Sequence, residues 1–254
     1  MGPLEITVIL LAGLAAGTIN TVVGSGTLIS FPTLLALGVP PVTANVSNGI
    51  GLVPGSISGA IGYRRELRGQ RRRAMRLVPA SAVGAVAGAV LLLVLPASAF
   101  SAIVPVLILL GCVLVVLGPR ISAAVARRHA ERGGLSEDGA WWTRPLVALT
   151  GVYGGYFGAA QGIILLAVMG IGIDDELQRL NALKNVLAAV ANGVSGLVFI
   201  AVADVDWLVV LLIAIGSAVG GQVGSTVGRR LPASALRVLV VGVGVVALVA
   251  FLRG

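Results

Sequence analysis

Lys184 is the only lysine in the chain, and it stands inside the apolar stretch 180–203. A charge within a membrane-spanning segment costs at least about 2.5–3.5 kcal/mol on insertion scales, so by default it marks a function. Lys184 therefore reads as the cation that neutralises an anionic ligand. The plainer reading is a lysine whose aliphatic stem snorkels to the interface, since Glu176 lies only two turns before it. Asn181, Asn185 and Asn192 share its stretch, while Thr43, Asn45, Ser47 and Asn48 lie in the stretch 42–62. Their amides and hydroxyls supply the N–H and O–H donors that bind the oxygens of an anion. Two further groups precede short apolar stretches: Gly24-Ser25-Gly26-Thr27 before 26–38, and Ala160-Gln161-Gly162 before 162–173. Glycine permits a break in the chain and a close backbone approach. A helix that starts at such a break aims free N–H groups and its positive dipole end inward, which attracts anions. Ser25 or Thr27 can cap such a helix and touch a ligand as well. The candidate binding set is Lys184, Ser25, Gly26, Thr27, Asn20, Asn45, Asn48, Gln161, Gly162, Asn181 and Asn185. With 36 glycines in the chain, close helix packing through small residues is the competing explanation for the glycines.

Other residues offer less. His129 sits in a basic loop with no Cys or second His nearby, so no metal site is expected. Cys112 has no disulfide partner and reads as a small packing residue. Trp141 and Trp142 read as interfacial anchors, and Tyr153 and Tyr156 as packing or cavity residues. Gly13 and Gly17 form a small-xxx-small pattern typical of helix contacts. There is no Ser–His–Asp set, no paired carboxylates within the apolar stretches and no phosphate-binding loop. The chain is expected to be neither an enzyme nor a cofactor binder.

These residues must be positioned by membrane helices. Of 254 residues, 57% are hydrophobic and only 11% charged, and the mean hydropathy is +1.03. A soluble domain carries roughly 25% charged residues, and a spanning helix needs about 20 mostly apolar ones. Apolar stretches fall at 4–23, 26–38, 42–62, 75–95, 101–118, 145–159, 162–173, 180–203, 207–228 and 235–252. This composition excludes a soluble enzyme domain, a disulfide scaffold and a disordered chain. Long unbroken runs also argue against a β-barrel. The first stretch lacks the basic lead-in of a secretory signal and is expected to be a retained helix. The expectation is an all-α polytopic membrane protein of about 8–10 transmembrane segments, two of them short broken or hairpin segments.

The chain also resembles itself. Leu95-Pro96-Ala97-Ser98-Ala99 recurs as Leu231-Pro232-Ala233-Ser234-Ala235, and Ser81-Ala82-Val83-Gly84 as Ser217-Ala218-Val219-Gly220. The expected organisation is a first repeat over 1–118, a cytoplasmic basic loop over 119–144 and a second repeat over 145–254. The loop 64–76 is rich in arginine, whereas its counterpart 204–206 carries Asp204 and Asp206. By the positive-inside rule the loops 64–76 and 119–144 are cytoplasmic. All basic residues except Lys184 and Arg253 then fall on that side. The same clustering explains the net charge of +8 without nucleic acid. Corresponding loops face opposite sides, so the repeats are read as inverted in topology, a plan that secondary transporters use around a midplane site.

Several segments together resemble the sulfite exporter TauE/SafE family. In the first half these are Gly17-Thr-Ile-Asn-Thr-Val-Val-Gly-Ser-Gly26, Pro32, Leu-Gly-Val-Pro-Pro41 and Ala44-Asn-Val-Ser-Asn48. In the second they are Gly151-Val-Tyr-Gly-Gly-Tyr-Phe-Gly158, Asn181-Ala-Leu-Lys-Asn185 and Asp204-Val-Asp-Trp207. The family's glycine run is replaced here by Gly-Ser-Gly and Ala-Ala-Gln-Gly. The resemblance implies transport of a sulfur-containing anion such as sulfite or an organosulfonate across the inner membrane. Export is the expected direction, because a negative cytoplasm drives an anion outward by about 2.3 kcal/mol per charge per 100 mV. A passive anion channel and an ion-coupled importer of an organic anion are the alternatives. The partners expected are a small anionic substrate and the lipid bilayer, with a homo-oligomer left open. The orientation is testable by a cysteine at position 68 in a Cys112→Ser background. Impermeant maleimide should label Arg68→Cys only after the cells are broken open; labelling of intact cells would reverse the topology.

Overall fold

The computed structural model describes residues 1–131, 139–226, 238, 240–246 and 248–249. Every secondary-structure element among them is helical: α1 Pro3–Val22, α2 Thr27–Ala36, α3 Pro41–Gly51, α4 Val53–Gly62, α5 Arg71–Val94, α6 Ala97–Glu131, α7 Thr143–Tyr156, α8 Gln161–Gly172, α9 Leu177–Val202 and α10 Trp207–Thr226. Among the described residues, five helices are long and apolar enough to cross a membrane: α1, α5, α6 through Ala124, α9 and α10. The helices α2 and α8, of 10 and 12 residues, are the short segments expected from the sequence. Arg132, Arg229-Arg230 and the repeat copy Leu231 to Ala235 lie outside the described residues, as does much of 235–252.

Two boundaries differ from the sequence reading. The stretch 42–62 is two helices, α3 and α4, that meet at Leu52. Its hydrogen-bond ladder runs on through the joint, from Leu52 N–H to Asn48 O at 2.9 Å and from Ser56 N–H to Leu52 O at 3.0 Å. Pro54 accounts for the joint, because its ring has no N–H and collides with the carbonyl four residues back. The basic region 119–144 is not all loop, since α6 continues through Pro119 to Glu131. Alanine and arginine there have high helix propensity, which hydropathy ignores.

Packing rests on small residues. Gly13 and Gly17 of α1 face Ile213 and Ser217 of α10, whose Gly216 and Gly220 in turn face the α1 backbone. The same arrangement recurs between α5 and α7, where Gly84 and Gly88 meet the carbonyls of Ala148 and Val152, and Gly151 and Gly155 those of Ser81 and Ala85. A Cβ at any of these glycines would strike the opposing helix, so dispersion contacts between backbones hold both pairs together. Ser217 of α10 donates to the Gly51 carbonyl at 2.8 Å, and Ser81 of α5 to that of Leu187 at 3.2 Å. Phe31 of α2, Phe100 of α6, and Tyr156 and Phe157 at the end of α7 form an edge-to-face cluster with centroids 5.2–6.4 Å apart.

The helix α9 has 26 residues, so its ends lie about 39 Å apart at 1.5 Å per residue. At its N-terminal end, Asp175 accepts from Arg73 of α5 at 2.6 Å and from Arg179 at 2.8 Å. Gln70 donates to the Arg179 carbonyl at 2.9 Å. At its C-terminal end, Asp204 and Asp206 share a cavity with the α2–α3 turn, Leu37 to Pro40. The helices α2 and α8 thus finish at opposite ends of α9.

Burial alone would push the Asp175 carboxyl up, but the hydrogen bonds from Arg73 and Glu176 N–H and the charges of Arg73 and Arg179 outweigh it and hold the carboxyl below its ordinary value. A carboxylate depressed in the folded state contributes stability above its unfolded pKa, and that contribution is lost as pH falls through the folded value. Melting in detergent should therefore show wild type losing part of its advantage over Asp175→Asn as pH drops below the ordinary carboxylate range. A constant gap between the two proteins across that range contradicts the assignment.

Candidate functional site

The two breaks expected at the glycine-bearing segments are both present, and they meet. The helix α1 ends at Val22 and α2 begins at Thr27; α7 ends at Tyr156 and α8 begins at Gln161. Gly24 takes φ +88°, Gly158 φ +77° and Ala160 φ +58°, all in the left-handed region. Gly162 N–H donates to Gly24 O at 3.0 Å, which joins one turn to the other. A Cβ on Gly24 would fall onto the Gly162 Cα, and one on Gly162 would press against Gly24 and the Lys184 Cδ.

A helix that stops inside the protein leaves carbonyls without partners. Those of α1 are met by α9. Lys184 Nζ donates to Asn20 O and to Thr21 O, both at 3.0 Å. The Nδ2 groups of Asn181 and Asn185 approach the same Thr21 carbonyl at 3.4 Å each. At the other break, Asn45 of α3 donates to Tyr156 O, the last carbonyl of α7, at 2.9 Å. Tyr153 braces the following turn by donating to Ala159 O at 2.6 Å. The halves thus cap one another's interrupted helices.

Lys184 is fully buried, as are Ser25, Asn48 and Asn185 within 1%. Among the described residues, Lys184 makes no ion pair. On the helices and turns that form the two breaks, several buried polar atoms have no hydrogen-bond partner: Thr21 Oγ1, Ser25 Oγ, Asn48 Oδ1, Gln161 Nε2, Asn181 Oδ1 and Asn185 Oδ1. A native interior leaves few such groups, and each calls for a ligand, an ion or water. A cavity of about 220 Å³ abuts the breaks through Val22, Val23 and Ile163 and is walled beyond by α6.

The remaining candidates are placed as follows. Asn20 donates to Ser56 Oγ at 3.2 Å, and Asn48 Nδ2 lies 3.5 Å from Thr27 Oγ1. Gln161 packs against Gly154. Two expectations are corrected. Gly162 is not a free donor, because its N–H is spent on Gly24. Neither Ser25 nor Thr27 caps α2; the cap position is Gly26, and no side chain bonds to it. Asn45 gives one amide hydrogen to the end of α7 and keeps its second. Thr21 was missed, since its main role is played by a backbone carbonyl that no residue type advertises. The signal available was the break itself, whose loose carbonyls require donors nearby.

A profile of the family described as sulfite exporter TauE/SafE matches residues 9–251. The chain belongs to the sulfite exporter TauE/SafE family. Its relatives include the probable membrane transporter protein ORF9 of Sinorhizobium sp, 28% identical over 92% of this chain and 87% of that protein. The probable membrane transporter protein YfcA of Escherichia coli strain K12 is 25% identical over 89% of this chain and 81% of its own length. A probable membrane transporter protein of Haemophilus influenzae is 21% identical over 87% of this chain and 84% of its own length. No solved structure matches. This TauE/SafE member is a multi-pass membrane transporter.

Replacing Gly24 by alanine combines a left-handed residue with a collision against Gly162, and should cost at least about 1–3 kcal/mol more than the same change at Gly38. Gly38 also has a positive φ, of +81°, but open space around it. Thermal melting of both variants decides the matter; equal losses would mean that the breaks do not pack as described.

Proposed function

We propose that the protein exports a small sulfur-containing anion, of the sulfite or organosulfonate type, across the inner membrane by alternating access. The observation that carries this is Lys184: a fully buried lysine that makes no ion pair among the described residues, on a helix that meets a break lined with unpartnered polar groups. A buried charge needs compensation. An ammonium has three N–H donors, and two are given to Asn20 O and Thr21 O. The third is available for an anion. Gln161 Nε2 and the Ser25 hydroxyl, both buried and unpartnered at the breaks, are further neutral donors that bring no charge into the membrane interior. The uncapped first turn of α2 adds a positive dipole end.

The site is enclosed, which suits a carrier that exposes its cargo to one side at a time better than an open pore. The opposed directions of α2 and α8, and the paired packing of α1 on α10 and α7 on α5, support the reading of two inverted halves. Rocking of such halves about a fixed midplane site is the usual form of alternating access. Within this reading the basic loops 64–76 and 119–144 are cytoplasmic, no cofactor takes part and no covalent chemistry is done on the anion.

Counterflow in proteoliposomes tests the proposal, with sulfite, thiosulfate, an organosulfonate and a carboxylate as candidate cargoes in potassium-only medium. Saturable exchange of one of the sulfur anions is expected; exchange without saturation would make the protein a pore. Lys184→Ala should lower flux of the accepted anion at least about tenfold, the equivalent of one charge-assisted hydrogen bond. Undiminished flux removes Lys184 from the site.

A further inference from the structure

Lys184 is held by main-chain oxygen. Its ammonium sits 3.0 Å from each of two main-chain carbonyls at the C-terminal end of α1. Asn181 and Asn185 lie one helical turn apart on α9, and both turn their NH₂ groups toward the same Thr21 carbonyl. A carbonyl only accepts, so this orientation is dictated and the amide oxygens must face away from it. Both oxygens are buried and unpartnered, and so is Thr21 Oγ1. The loose C-terminal carbonyls of a broken membrane helix, joined by neutral side-chain oxygens, are the ligands by which transporters hold Na⁺ at their midplane. Among the described residues no Asp or Glu takes part, and no cluster of metal-binding side chains exists. At the other break the corresponding carbonyl, Tyr156 O, is met by the neutral amide of Asn45. The cation is confined to one break.

The geometry points to Lys184 as a tethered cation in a sodium-type site: its ammonium occupies the place on Asn20 O and Thr21 O that a bound Na⁺ would take, with the unpartnered amide oxygens of Asn181 and Asn185 able to turn onto an ion left there. The exchange is isovalent. One positive charge at the negative end of the α1 dipole satisfies the same carbonyls whether it is Na⁺ or an ammonium. The lysine brings that charge on its own stem, so it binds at every concentration of salt and never dissociates into either compartment. The consequence for coupling rests on the transport reading above: a carrier with a built-in cation moves its anion without Na⁺. The occupancy of the site does not rest on that reading.

The test uses Na⁺ itself as the probe, on full-length protein in detergent, with K⁺ or choline at equal ionic strength as controls. Wild type should melt at the same temperature in all three salts and should retain no radiolabelled Na⁺. Lys184→Ala, which vacates the place while leaving the oxygens, should acquire Na⁺-specific binding and a melting point that rises by a few degrees with Na⁺ concentration. Lys184→Met, which keeps the stem and removes the charge, should gain less, because the stem still fills the space. Na⁺-specific stabilisation of wild type overturns the inference. So does a folded Lys184→Ala that ignores Na⁺, and so does a Lys184→Ala that Na⁺ cannot recover as folded protein. The anion reading is judged separately, by whether sulfite or thiosulfate raises the melting point of wild type in Na⁺-free buffer.

Discussion

A helix interrupted inside a membrane protein leaves carbonyls that neither lipid nor water can reach, and each must find a donor within the fold. This requirement organises the centre of the molecule. The helix α1 ends inside the protein and its last carbonyls are taken by Lys184, Asn181 and Asn185 of α9. The helix α7 ends likewise, and Asn45 of α3 takes its last carbonyl. Each donor comes from the half of the chain that does not contain the break. The ends of both interrupted helices are thus satisfied across the two halves of the chain.

The turns that follow the interruptions touch through the bond from Gly162 N–H to Gly24 O. That contact demands glycine on both sides, since any Cβ would separate the backbones. Small residues serve the same purpose further out, where α1 meets α10 and α5 meets α7 closely enough for backbone to touch backbone. The closeness of these pairs brings the breaks together, and the breaks concentrate polar atoms where the surrounding protein is apolar. In such surroundings an ammonium or an unpaired amide interacts far more strongly than it would in water. Folding draws on these few side chains, and under the proposed function the transported anion draws on the same ones.

Much of this was legible in the residues. The short apolar stretches flanked by Gly24 and Gly162 announced two broken helices, and both are found. Lys184 announced itself as a lone charge in an apolar stretch, and it is buried rather than snorkelling. The pattern Gly13, Gly17 announced a helix contact, and its partner is α10. Less legible were the elements whose nature depends on propensity rather than polarity. The extension of α6 past Pro119 is hidden by arginine, which reads as loop by charge and as helix by backbone preference. The joint at Leu52 is hidden because one apolar stretch looks the same whether straight or kinked.

By itself the sequence determined that the chain is a bundle of membrane helices, where two of them fail, and that one basic residue stands inside an apolar stretch. These are local properties: hydropathy over a window, the permissiveness of glycine and the desolvation of an ammonium. Only the tertiary structure decided what that ammonium touches. Lys184 and Thr21 are separated by 163 positions along the chain, and the acceptor is a main-chain carbonyl, which every residue type carries alike. No pattern of side chains can single out one carbonyl among so many. The choice is made when α9 packs beside the end of α1, because there the carbonyls have lost the helix that would otherwise have satisfied them.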